Sequence, residues 1–69
     1  MNHRDITRKL RTLGCSFARQ GKGSHEIWRS PTGQSKTSIP NWGGRDLSPG
    51  TISAILRDLG ISRKDFDSA

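Results

Sequence analysis

Apolar positions change their interval twice along this chain, and the changes divide it into elements. Ile6, Leu10 and Leu13 recur every three to four residues, the spacing of one helical face. Asn2 with Asp5 three residues on makes a capping arrangement in which Asp replaces the usual Glu, so a first helix is expected from about His3 to Leu13, stopped by Gly14. Asp5 and Lys9 lie four apart in the order that supports a helix. After Gly14 the interval shortens to two. CSFARQ alternates around Phe17, GKG supplies a flexible corner, and SHEIWR carries Ile27 and Trp28, both suited to a pleated surface. SPTGQ offers a second turn with Pro31 presetting its backbone, and KTSIP reads as a third strand ended by Pro40. NWGGRDL interrupts regular structure. Ser48 and Pro49 then provide the N-cap and first residue of a second helix, with Ile52, Ile55, Leu56 and Leu59 as its apolar stripe and Gly60 as its end. Beyond it, Ser62 and Asp65 suggest one frayed turn and a loose DSA terminus.

The order is therefore α-β-β-β-α. Each helix has one apolar stripe and a small sheet needs only one face covered. The expected architecture is α+β: a three-stranded antiparallel sheet with two helices on one face and the other face open. A chain of 69 residues has one core to build, so residues 1–69 are read as a single domain. Trp28 belongs in that core, and strand alternation then turns His25 and Ile27 to the opposite face. Trp42 falls in a loop, where an indole stacks on an unpaired base, fills a pocket on a partner, or folds back onto the core.

Composition narrows the partners. Only 29% of residues are hydrophobic and the mean hydropathy is -0.76, so the core is small. Twelve Lys and Arg against six Asp and Glu give a formal charge of +6, which points to a polyanion: nucleic acid first, an acidic protein second. Arg4, Arg8 and Arg11 form a stripe of their own on the first helix, either a solvated face or a set of phosphate contacts. No apolar run is long enough to span a bilayer and the opening MNHRDITRKL lacks a signal peptide's apolar stretch, so a cytoplasmic protein without a membrane partner is expected. Cys15, the sole cysteine, cannot form an internal disulfide and is read as a small buried residue. The acids are scattered and form no Mg²⁺-binding set, so neither metal nor cofactor is expected.

Candidate chemistry is concentrated in RQGKGSH, residues 19–25. An imidazole, with an ordinary pKa of about 6.5, both takes and gives protons near neutrality. His25 follows a corner in which Arg19 and Lys22 bring positive charge, Gly21 and Gly23 let backbone approach a phosphate, and Ser24 can orient either the phosphate or the ring. The plainer reading makes His25 an idle polar residue, Arg19 and Lys22 solubilising charges, and the glycines turn formers. His3, on the first helix, is expected to face solvent.

The ordered set of a short helix ending at Gly14, RQGKGSH across the first turn, an SIP strand end and PGTISAILRDLGIS as a closing helix resembles the HicA toxins of bacterial type II toxin–antitoxin pairs, from Asn2 to about Phe66. Gly23-Ser24-His25 and Gly50-Thr51 are its most specific strings. The resemblance implies a double-stranded-RNA-binding-domain-like fold, an mRNA interferase with His25 as catalytic residue, and a HicB-type antitoxin that blocks it. Arg19, Lys22, Gly23 and Ser24, with Arg4 and Arg8, are the candidate RNA contacts; His25, Lys22 and Trp42 are the candidate contacts of the inhibitor. The chain departs from the family at NWGGRD, where further polar or basic residues are usual. Two other classes compete: a non-catalytic RNA-binding module, although SPGTISAILRDLG lacks the lysine cluster that grips duplex phosphates, and a basic adaptor that docks an acidic protein.

Overall fold

The computed structural model describes residues 1–69. Its elements are α1 (His3–Thr12), β1 (Ser16–Gln20), β2 (His25–Arg29), β3 (Lys36–Pro40), α2 (Pro49–Leu59) and α3 (Arg63–Ser68). The capping box forms: the Asn2 side chain accepts from the Asp5 amide at 3.0 Å, and the Asp5 carboxylate accepts from the Asn2 amide at 3.3 Å. Asp5 is thus committed to the cap, and Lys9 turns away from it, donating to the Phe66 carbonyl at 3.4 Å with its ammonium 5.1 Å from the Phe66 ring centre. The expected Asp5–Lys9 pair is absent for that reason.

The three strands form one antiparallel sheet in the order β1-β2-β3. Trp28 pairs with Phe17 on one side and Thr37 on the other, while Ile27 pairs with Ser38 and Arg29 with Lys36. Alternation gives the sheet two unlike faces. Glu26, Trp28, Thr37 and Ile39 point to the helices: His3 and Arg11 of α1 reach Glu26 and Trp28, and Asp58 of α2 accepts a bond from the Thr37 hydroxyl at 3.0 Å. His25, Ile27, Arg29 and Ser38 point the other way, with no helix over them. The α-β-β-β-α order with both long helices on one face agrees with the sequence reading.

Eleven buried hydrophobic residues make the core, with Ile6, Leu10, Ile39 and Phe66 at 0% exposure and Trp28 at 1%. Phe66 corrects an expectation. The segment after Gly60 is a six-residue helix capped by Ser62, not a frayed turn, and it continues through Ser68 because Phe66 is buried in the core beneath Lys9 of α1. Burying that ring contributes about 1.5–3 kcal/mol, more than so short a helix could gain from its own hydrogen bonds. Phe17 is the converse case. On the edge strand β1 it is 45% exposed, meeting the Trp28 ring edge-on at 6.2 Å.

Candidate functional site

The corner between β1 and β2 is built by two short bonds. Gly21 donates its amide to the His25 carbonyl at 2.8 Å, and the His25 amide donates to the Lys22 carbonyl at 3.1 Å, leaving Lys22, Gly23 and Ser24 as the projecting loop. A Cβ on Gly21 would lie 3.0 Å from the His25 carbonyl oxygen, so a side chain there would push the two strands apart. Gly23 has φ +61 and open space around it, so what it supplies is left-handed backbone. Both glycines therefore have structural reasons to be where they are. The Gln20 amide group ties the corner from the side, donating to the Gly23 carbonyl at 3.2 Å and the His25 carbonyl at 2.9 Å. Lys22, Gly23 and Ser24 are all exposed.

His25 begins β2 on the uncovered face and is itself exposed. Its Nδ1 lies 3.0 Å from the Ser38 hydroxyl, across the β2–β3 ladder and diagonal to it in register. That bond fixes the ring's orientation. When Nδ1 donates to the Ser38 oxygen, the lone pair of Nε2 is directed outward. Sequence reasoning missed Ser38. Its signal was the exposed position between Thr37 and Ile39 on a strand adjacent to β2, but using it required the β2–β3 register, which the six-residue connection does not specify.

Glu26, the next residue, faces the other way. Its Oε1 accepts from His3 Nε2 at 2.7 Å and from Trp28 Nε1 at 3.0 Å, and its Oε2 accepts from Asn41 Nδ2 at 3.2 Å. Burial pushes this carboxyl's pKa up, but the bonds from Trp28, His3 and Asn41 and the nearby imidazole outweigh it, and the net pKa is lowered. His3 is accordingly not the solvent-facing residue expected from sequence. Its side chain and that of Glu26 are each 15% exposed, because the first turn of α1 lands on β2. Asn41 also donates its amide to the Ser24 carbonyl at 2.9 Å, so the covered network reaches the corner that carries His25.

The candidate contacts divide between the two sides of the molecule. Arg19 lies opposite Ile27 on β1, and Lys22 projects from the loop beside His25. Arg4 and Arg8 are exposed on α1, behind the sheet, so they do not join His25 on one surface. Arg11, third in that stripe, places its guanidinium 5.0 Å from the Trp28 ring centre and serves packing. Trp42 is 41% exposed with the Arg45 guanidinium 5.3 Å from its ring centre, rather than folded into the core. Cys15 is buried, and burial raises its thiol pKa, in agreement with a packing role. No three of the His, Cys, Asp and Glu side chains converge in metal-binding geometry, and no helix is long and apolar enough to cross a membrane. The two surface cavities, about 290 and 270 Å³, lie beside Leu13, Leu59 and Ile61 and beside Arg57 and Arg63. His25 therefore sits on an open surface, away from both cavities.

Comparison with known proteins adds one finding. The model of a family described as the HicA toxin of bacterial toxin-antitoxin matches residues 3–61, a span that runs from α1 to just past α2. No curated protein matches the chain.

Proposed function

The chain belongs to the HicA toxin family of bacterial toxin–antitoxin systems, and from that premise we propose that it is an endoribonuclease that cleaves messenger RNA by histidine-dependent transesterification. The observation that carries this reading is the imidazole of His25, exposed on an uncovered sheet face and held at Nδ1 by the Ser38 hydroxyl at 3.0 Å. Nε2 takes the proton of a ribose 2′-OH. The 2′ oxygen forms a new bond to phosphorus, the bond from phosphorus to the 5′ oxygen breaks, and the leaving oxygen takes up a proton from the imidazolium or solvent. Lys22 and Arg19 offset the charge that grows on the phosphorane oxygens, and the exposed turn through Gly23 and Ser24 seats the phosphate beside them. Arg4 and Arg8, on the far side, contribute general attraction to the polyanion rather than contacts at the reacting bond.

The toxin requires restraint, and its antitoxin, of the HicB type, covers His25, Lys22 and Trp42. The exposed indole beside Arg45 is the kind of anchor a protein interface buries. Transesterification needs no metal, and the six acids, scattered over α1, the covered sheet face, the loop before α2, α2 itself and α3, support that choice. The test is cleavage of a defined single-stranded RNA by the purified chain in EDTA. Expected products carry 2′,3′-cyclic phosphate and 5′-hydroxyl ends. An absolute Mg²⁺ requirement, or 3′-hydroxyl products, would overturn the mechanism.

A further inference from the structure

The strand register sets Arg29 directly opposite Lys36, both on the uncovered face. Like charges facing each other across a ladder repel and weaken the sheet. Nothing in the chain relieves them: the ion pairs are Met1–Asp46, His3–Glu26 and Arg57–Asp58, and neither Arg29 nor Lys36 donates a side-chain hydrogen bond. Arg19 adds a third cation two rows along, opposite Ile27. The acids are all elsewhere. Asp5 caps α1, Glu26 points to the helices, Asp46 meets the N-terminus, Asp58 bonds Thr37, and Asp65 and Asp67 belong to α3. One face of the sheet thus carries cations and no carboxylate. Apart from the His25 imidazole at its far end it carries no aromatic ring, since Phe17 and Trp28 share the other face. Such a surface grips a charged backbone and leaves the bases unread.

We propose that Arg29 and Lys36 form a second phosphate site, which holds a single-stranded stretch of the RNA substrate across the open sheet face while His25 attends to the scissile bond. The proposal rests on the reading of His25 as the nuclease centre. His25 and Arg29 occupy opposite ends of β2, about 13 Å apart along the strand, so a backbone laid along β2 reaches the Arg29–Lys36 pair beyond the cleaved bond. The chemistry selects single strands. Attack by a 2′ oxygen in line with the leaving 5′ oxygen needs a local backbone rotation that an A-form duplex resists, so the nucleotides next to the cleaved bond must be unpaired. An anion bridging Arg29 and Lys36 also removes the repulsion that the free protein tolerates.

The experiment measures binding of single-stranded RNA to the His25→Ala protein over a series of salt concentrations, with and without the added pair Arg29→Gln and Lys36→Gln. The expected result is an affinity loss of about tenfold and a salt dependence shallower by about 1.4 in log–log slope, at about 0.7 for each phosphate no longer neutralised. The pair Arg57→Gln and Arg63→Gln, equal in charge but on the helices, leaves the slope nearly unchanged. The thermal midpoint of the free protein stays level or rises with the Arg29 and Lys36 changes, since repulsion is removed. An unchanged slope, equal effects from the two pairs, tighter binding of duplex RNA of the same length, or weakened antitoxin binding with RNA affinity intact would each overturn the proposal. Cleavage by the wild-type chain is scored separately: no cleavage with the slope change present removes the nuclease reading and keeps the phosphate site, whereas cleavage with an unchanged slope does the reverse.

Discussion

The two faces of this sheet are built from alternate residues of the same strands, yet they follow opposite rules. On the covered face every polar group is partnered. Glu26 accepts three bonds, the Trp28 indole donates one, and Thr37 donates to Asp58. On the uncovered face the cations stand without counter-charges, and the one bond between side chains of neighbouring strands is that of His25 with Ser38. On the function proposed for His25, the difference separates stability from reactivity. Groups that hold the fold satisfy one another, whereas groups that act on a ligand keep valences free for it. The division is sharpest at one peptide bond, between His25 and Glu26.

Substitutions test that contrast, and the largest effect belongs to the covered side. Trp28→Ala and Phe66→Ala each remove a ring that is at most 1% exposed, and are expected to cost about 3–5 kcal/mol. A domain of this size has a total stability of similar magnitude, so chemical denaturation should find both variants largely unfolded. Glu26→Gln comes next. It places an amide nitrogen against the Asn41 donor and removes the charge that the His3 and Trp28 donors face, for a loss of about 1–3 kcal/mol. Its pH signature follows from the lowered carboxyl pKa. The ionised form contributes stability that is fully present above the unfolded carboxyl value and is lost as pH falls through the lower folded value. Urea titrations of wild type should therefore show an acid limb that weakens in the Glu26→Gln protein.

On the open side Ser38→Ala frees the imidazole to rotate. The expected consequence is a cleavage rate down by about tenfold with stability unchanged and a shifted pH–rate profile, while Ser38→Thr, which keeps the hydroxyl, restores most of the rate. A purely structural Ser38 would change the melting curve and leave the pH profile in place. Smallest is Thr37→Val, which deletes the bond to Asp58 for about 1 kcal/mol and leaves cleavage untouched.

How much of this was legible in the sequence depended on the range of the interaction. Element order, the Asn2–Asp5 cap and the burial of Trp28 rest on spacings of two to four residues, which local chemistry reads well. From Trp28, alternation alone places His25 on the open face. What escaped lay across longer separations. His3 meets Glu26 twenty-three positions away, so its burial depends on where α1 lands on the sheet. Ser38 reaches His25 only once the β2–β3 register is set, and the same register creates the Arg29–Lys36 opposition. Phe66 reads as the tail of a frayed turn because nothing local indicates that Lys9, 57 positions earlier, closes over its ring. Arg4 and Arg8 group with His25 by charge alone, and the layer order puts them behind the sheet.

The most direct measurement compares the neighbours His25 and Glu26, reading cleavage rate and unfolding free energy on the same preparations at neutral pH. His25→Ala is expected to lower cleavage by about 10²–10⁴-fold with its unfolding free energy preserved, and Glu26→Gln to lose stability while its folded fraction still cleaves. Undiminished cleavage by a well-folded His25→Ala protein, purified free of host nucleases, would contradict it.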